Sequence, residues 1–379
     1  MASGDHGRVL LLILHPVGGI RSYIRYVYGR EWFDDYSFTI IEPDVGGGDT
    51  YTENFARRNF EYITCNGVGD MLGKLWSYTG KNEVALIHSH GFTAGCVVLP
   101  VALGRRIPHL MTGHDMFQQK QFAGTRGWLR RNVLSMVLKR IDRIHTVSND
   151  ATENMLEYFP GVRREKLVCI PHGIDAERFF SSAVSDLGLD ADRSKTGIIG
   201  FFGRFMSPKG FRYLVDAIEI IKHRGLAKRV PLVLTFDWGG YVREEYEYLE
   251  RKGLGEQFRM MQFTNNMPGV IKAMDMVIMP SVWESSGLLA MESLVAGVPI
   301  IGTSCTGLRE VLRDSPATMV RPMDSEKLAI AIADEINHPR VNQFREYAVV
   351  ARERFSLEKP SSKLKQLYDV MTNTGLKVG

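Results

Sequence analysis

The stretch from Met276 to Pro299 leaves this chain few folds to choose from. Met276-Val-Ile-Met279 ahead of Pro280 is a short, wholly apolar run, the pattern of a parallel strand buried on both faces. Ser286 to Ala296 then reads as a helix closed by Gly297. The result is a strand-loop-helix corner of the α/β class. It places Glu284 in the loop and Glu292 inside the helix, with backbones about 12 Å apart if the rise is near-helical throughout. That separation matches the reach from a sugar ring to a ribose across a diphosphate. Carboxylates repel phosphate but accept hydrogen bonds well from hydroxyls, so the pair suits the two hydroxyl-bearing ends of a nucleotide sugar. The helix N-terminus between them, with Gly287 permitting close approach, suits the anionic middle.

A second loop has the same character. Gly197-Ile-Ile-Gly-Phe-Phe202 reads as a strand, and Gly203-Arg204-Phe-Met-Ser-Pro-Lys209-Gly210 follows it ahead of a helix from about Phe211 to His223. Arg204 and Lys209 in a Gly-flanked loop at a strand end make a diphosphate clamp, Arg by a forked contact and Lys as a point charge. The competing reading, a basic surface turn, suits either residue alone.

The first half repeats the α/β rhythm. Val9 to Leu14 reads as a strand, His15 to Ile20 as a turn containing Gly18 and Gly19, and a helix begins near Arg21. Strands at Ser37–Glu42, Ala85–Gly91, His109–Asp115 and Ile144–Asn149 end in polar residues, including His88, His90 and His114, where α/β sites are built. His88 and His90 could equally be satisfied structural residues. Ser181 to Lys195 has the composition of an interdomain linker. Its Asp190-Ala-Asp192 is formally a metal-binding pair, but a solvated linker is the wrong place for one.

At 379 residues, two domains of similar size are expected. The aliphatic run Val9 to Leu14 is too short for a signal-peptide core, which points to a cytoplasmic protein. Cys65, Cys96, Cys169 and Cys305 are scattered, without disulfide or zinc spacing. A net charge of +4 is too small to argue for nucleic acid, and no nucleic-acid partner is expected, yet nine Lys or Arg stand against two Asp between Arg105 and Arg143. Leu129, Val133, Met136 and Val137 mark a helix there, with an apolar stripe that either packs in the core or meets a membrane. Phe117, Phe122 and Trp128 are expected to be exposed beside it. Four basic residues on one face could hold the protein reversibly at an anionic membrane surface.

The spacing Glu284-x7-Glu292, with Ser286-Gly287-Leu288 after the first Glu and Ala-Gly-Val-Pro closing the helix, resembles the retaining GT-B glycosyltransferases of family 4. Thr112-Gly-His114-Asp is similar to the family's Thr-x-His-Asp, and the Gly-Arg and Lys-Gly pair matches as well. The resemblance implies two Rossmann-like domains facing across a cleft. Their bounds would be 1–185 for the acceptor and 193–357 for the donor, with a helix over 358–379 possibly returning to the first domain. It implies His114, Arg204, Lys209 and Glu284 as catalytic residues. Gly18, Gly19, Arg204, Lys209, Glu284, Ser286, Gly287, Leu288 and Glu292 would bind the donor. No metal and no cofactor are implied beyond the nucleoside-diphosphate sugar, a UDP-sugar first and GDP-mannose next. The acceptor would be a glycan, glycolipid or small molecule. Asp237-Trp-Gly-Gly240 and Thr264-Asn-Asn266 depart from the family's usual turns, which leaves base and sugar open. A sugar-nucleotide epimerase on the same fold, or an inactive nucleotide-sugar-binding partner, are the alternatives.

Overall fold

The computed structural model describes residues 7–15, 19–29, 31–44, 60–203, 205, 207–236, 243–262 and 264–373. The chain forms two compact units, one running to His172 and resuming at Leu357, the other from Gly173 to Ser356.

The first unit is built on a seven-stranded sheet: β1 (Arg8–Ile13), β2 (Ser37–Pro43), β3 (Phe60–Cys65), β4 (Leu86–His90), β5 (His109–Gly113), β6 (Arg143–Thr146) and β7 (Leu167–Cys169). Their order is β3-β2-β1-β4-β5-β6-β7, every pair parallel. Helices α1 (Gly19–Tyr28), α2 (Gly67–Lys81), α3 (Phe92–Arg105), α4 (Gly124–Arg140) and α5 (Asn149–Tyr158) link the strands. Burial on both faces explains the unbroken Val-Leu-Leu-Leu-Ile of β1.

The second unit has six parallel strands in the order β10-β9-β8-β11-β12-β13. They are β8 (Thr196–Phe201), β9 (Val230–Phe236), β10 (Phe258–Met261), β11 (Met276–Met279), β12 (Ile300–Thr303) and β13 (Thr318–Val320). Helices α6 (Ala176–Ser181), α7 (Phe211–Arg224), α8 (Arg243–Arg251), α9 (Met267–Lys272), α10 (Leu288–Val295), α11 (Leu308–Leu312), α12 (Ser325–Asn337) and α13 (Val341–Arg354) complete it. In both sheets the strand order reverses once, between β1 and β4 and between β8 and β11. Ligands of such sheets bind beyond the carboxyl ends of the strands at that reversal.

The second unit begins at Gly173, not after residue 185, because α6 packs against α10 and α13. Residues 181–195 are likewise no interdomain linker. Ser185 N–H donates to the Gly269 carbonyl (2.9 Å) and Arg193 reaches Asp275 (3.1 Å), so the stretch lies along the second unit. Asp192 Oδ1 accepts from Ser194 N (2.9 Å) and Ser194 Oγ (2.6 Å), the bonding of a local turn.

The last helix, α14 (Glu358–Asn373), belongs to the first unit. Leu364, Tyr368 and Met371 enter the core around β1 and α1. Tyr36 Oη donates to Asp369 (2.7 Å), and Lys365 lies 3.4 Å from Asp35. Phe117 and Phe122 are not exposed aromatics. Phe117 is buried and Phe122 packs on it, within a cluster with Phe92, Tyr158 and Phe159. Of the stripe on α4, only Val137 enters the core, while Leu129, Val133 and Met136 are exposed.

Candidate active site

In the second unit the loops leaving β8 and β11, the two strands at the reversal, bring a cation and an anion together. The loop after β8 is pinned from inside: Phe205 is buried and stacks on Phe211 (ring centroids 4.1 Å apart). Gly210 sits at φ +71°, where a Cβ would lie 1.9 Å from the Pro280 carbonyl oxygen, so only glycine lets the loop close onto β11. The Val282 N–H donates to the Pro208 carbonyl (2.8 Å) and finishes the seam. Lys209 Nζ then lies 2.7 Å from Glu284 Oε1.

Glu284 is held from three sides. Ser281 Oγ donates to the same Oε1 (2.8 Å), and Thr303 Oγ1 donates to the Ser281 carbonyl, fixing Ser281 in turn. The Glu284 N–H donates to the Thr306 carbonyl (3.2 Å). Gly307, at φ +78°, lets the loop after β12 lie on the Glu284 backbone, where a Cβ would meet its carbonyl oxygen at 2.3 Å. Beside it burial pushes the Cys305 thiol up to about 11, so at neutral pH it stays protonated and is no nucleophile.

Past Glu284, Gly287 at φ +71° is the N-cap of α10, and among the described residues no side chain caps that helix end. Its N–H groups and dipole present a place for negative charge. Ser286 Oγ, next to it, is buried with no hydrogen-bond partner among the described residues. Leu288 and Glu292 are half-buried on α10. At the carboxyl ends of β9 and β10 lies a cavity of about 380 Å3, lined by Leu187, Phe236, Met260, Met261, Gln262 and Thr264. Arg204 and the turn 237–240 lie outside the described residues, as does Gly18.

In the first unit, histidines crowd the carboxyl ends of β4, β5 and β6. His145 Nε2 must donate to the Ile170 carbonyl (2.8 Å), which leaves its Nδ1 to accept from Thr112 Oγ1 (2.9 Å). Thr112 therefore accepts from His88 Nε2 (2.7 Å), and the bare His88 Nδ1 accepts from Tyr368 Oη (2.6 Å). Tyr28 Oη completes the group, 2.8 Å from Tyr368 Oη. Burial keeps both imidazoles neutral, pushing His145 down to about 4 and, with smaller contributions from neighbouring histidines, holding His88 well below its ordinary pKa, and the chain of bonds then fixes their tautomers. His114 Nε2 lies 3.0 Å from His90 Nδ1, its ring edge-on to Tyr23 at 5.1 Å. Burial keeps it neutral too. Gly19 opens α1 at the end of β1.

Residues 36–178 match the model of Glycosyltransferase Family 4, and residues 196–338 match that of Glycosyl transferases group 1. The chain belongs to glycosyltransferase family 4. Among similar proteins is the alpha-maltose-1-phosphate synthase of Mycolicibacterium smegmatis, 24% identical over 71% of this chain and 73% of that protein. Another is the UDP-Gal:alpha-D-GlcNAc-diphosphoundecaprenol alpha-1,3-galactosyltransferase of Escherichia coli, 22% identical over 72% and 73%. The structure of Anabaena HepE in complex with UDP-glucose superposes with a TM-score of 0.77, covering 97% of this chain and 99% of HepE at 17% identity. The fold is thus GT-B, and the protein is a glycosyltransferase.

For a family 4 glycosyltransferase, the structure brings Lys209 and Glu284 into one contact and sets Ser286, Gly287 and Leu288 at the adjoining helix end. His114 and Gly19 lie in the other unit. Sequence reading missed Ser281, Thr303 and Gly307. Ser281 precedes Glu284 by only three residues and could have been picked out as its donor, whereas Thr303 and Gly307 reach the site only through the parallel pairing of β11 with β12.

Proposed function

We propose that this glycosyltransferase moves a hexose from a nucleoside-diphosphate sugar to an acceptor hydroxyl with retention at the anomeric carbon and without a metal ion. The observation carrying the reading is the Lys209 to Glu284 contact at the strand reversal, beside the uncapped end of α10. The diphosphate would lie against that helix end, with Lys209 and Arg204 on its oxygens. Glu284, anchored through Oε1 by Ser281, would accept from sugar hydroxyls through Oε2. Glu292 would take the ribose and the cavity at β9 and β10 the base. His114 would meet the sugar near its reactive end, and the Gly18-Gly19 turn would face the diphosphate.

In the reaction the bond from the anomeric carbon to the phosphate oxygen breaks, and the acceptor oxygen bonds that carbon on the same face. The acceptor proton passes to the departing phosphate, so the products are the glycoside and a nucleoside diphosphate. Lys209, Arg204 and the helix end stabilise charge developing on that phosphate. A UDP-sugar is the first expectation for the donor and GDP-mannose the second, the former supported by the UDP-Gal in the name of the Escherichia coli relative. The same name carries a diphosphoundecaprenol acceptor, which supports a lipid-linked or envelope glycan as product.

Incubation with a panel of nucleotide sugars, following slow donor hydrolysis by NMR, tests the reading. The expected result is release of nucleoside diphosphate with the α-anomer formed first from an α-linked donor, in the presence of chelator. Epimerised donor, an inverted anomer, or activity that returns only with a divalent ion would overturn it.

A further inference from the structure

We propose that the outward face of α4 docks on an anionic lipid bilayer. Trp128, Leu129, Val133 and Met136 are 65, 58, 43 and 58% exposed. At 100° per residue, the last three fall within about 60° of one another around the helix, with Trp128 about 80° beyond Met136. Gly127, Leu134 and Leu138 on the opposite side, and Val137 between the two, are buried against the first unit. Apolar residues thus lie on both sides of the helix, and only one side has a core to enter.

The charge on the exposed side identifies the occupant. Arg126 and Arg140 fall on the same outward arc, Lys139 beside Trp128, and all are exposed. Among the seventeen residues of α4 there is no Asp or Glu. A patch of large apolar side chains flanked by cations and lacking anions fits the boundary between acyl chains and anionic headgroups, where both components are satisfied at once. A second copy of this chain meeting the same face would bring Arg126 and Arg140 against their equals. A nucleic acid would satisfy the arginines and leave Leu129, Val133 and Met136 facing polar sugar and phosphate. Among the described residues no helix is long and apolar enough to cross a membrane, so attachment would be reversible and along the surface.

The docking surface is independent of which donor the enzyme uses, and it gives the enzyme a place beside a lipid-linked acceptor. Co-sedimentation of the whole protein with vesicles of equal parts phosphatidylglycerol and phosphatidylcholine, against vesicles of phosphatidylcholine alone, tests it. The wild type is expected to pellet with the anionic vesicles only, and less so as salt is raised. Arg126→Glu/Arg140→Glu should weaken binding at least thirtyfold, from about fivefold for each charge removed. Leu129→Glu/Met136→Glu should abolish it. Donor hydrolysis in solution should be unchanged in both variants, which separates loss of docking from loss of fold and from failure of the transferase reading. The proposal is overturned if the wild type stays in the supernatant at low salt, if it binds neutral vesicles as well, or if Leu129→Glu/Met136→Glu binds like wild type. It is equally overturned if sedimentation velocity finds a dimer that Leu129→Glu/Met136→Glu dissolves, since the face then belongs to a second copy.

Discussion

Acidification from pH 7 to pH 5 should unfold the first unit ahead of the second. Burial pushes His109 and His172 down to about 3, His172 aided by His145, and His145 down to about 4 against an opposing bond to the Ile170 carbonyl. An imidazole with a depressed folded pKa binds fewer protons folded than unfolded, so its contribution is complete above about 6.5 and is lost as pH falls towards 3 or 4. At pH 5 each of the three costs about 2 kcal/mol, about 6 kcal/mol together, which rivals the whole stability of an ordinary domain. His88, His90 and His114 are depressed in the same direction. Glu42 opposes them, because burial raises its carboxyl to about 7, and its proton stabilises the fold as pH falls from 7 towards 4.5. In the second unit His223 and His338 are exposed. Urea unfolding followed by circular dichroism at pH 7, 6 and 5, with hydrogen exchange read by mass spectrometry to locate the transition, makes the measurement. Equal stability at pH 7 and pH 5, or a loss that maps to 173–356, would refute the reasoning.

Glu284→Gln should lower turnover far more than nucleoside-diphosphate affinity, as read from kcat and from calorimetric titration of the nucleotide. Lys209→Ala should weaken nucleoside-diphosphate binding by about 1.5–3 kcal/mol while leaving the affinity for a nucleoside without phosphates unchanged in the same titration. Tyr368→Phe removes the hydroxyl that serves both His88 Nδ1 and Tyr28 Oη, and should destabilise the first unit by about 1–3 kcal/mol in urea unfolding. Gly210→Ala, driving a methyl into the Pro280 carbonyl at a left-handed φ, should cost the second unit about 3 kcal/mol or more and be measured the same way.

The corner from Met276 to Pro299 was legible because its signals are local: an apolar run for β11, glycines at Gly287 and Gly297, and two carboxylates with a helix between them. The short edge strands β10 and β13 were not, since Phe258–Met261 and Thr318–Val320 carry little pattern of their own and become strands by pairing with β9 and β12. The histidines at the ends of β4, β5 and β6 could be placed but not interpreted. Whether His88 is a ligand or a structural group depends on Tyr368, 280 residues away. On α4, periodicity found the apolar stripe and could not say which side met the core. The deciding residues, Leu134 and Leu138, lie opposite the stripe, and Gly127 is the only residue that fits against the backbone of Phe122.

The return of α14 to the first unit bears on the order in which the protein can be made. As the chain leaves the ribosome, residues 173–356 can bury their own core as soon as they have emerged, because Ile174 pairs with Ser356 and closes that unit on itself. The sheet of the first unit, synthesised earlier, must wait with Tyr28 and His88 lacking Tyr368 until the last helix arrives. Domains usually complete their folds in the order of synthesis. Here the later unit can finish first, and a nascent chain stalled short of residue 368 would expose the apolar site meant for Leu364, Tyr368 and Met371 to any chaperone nearby.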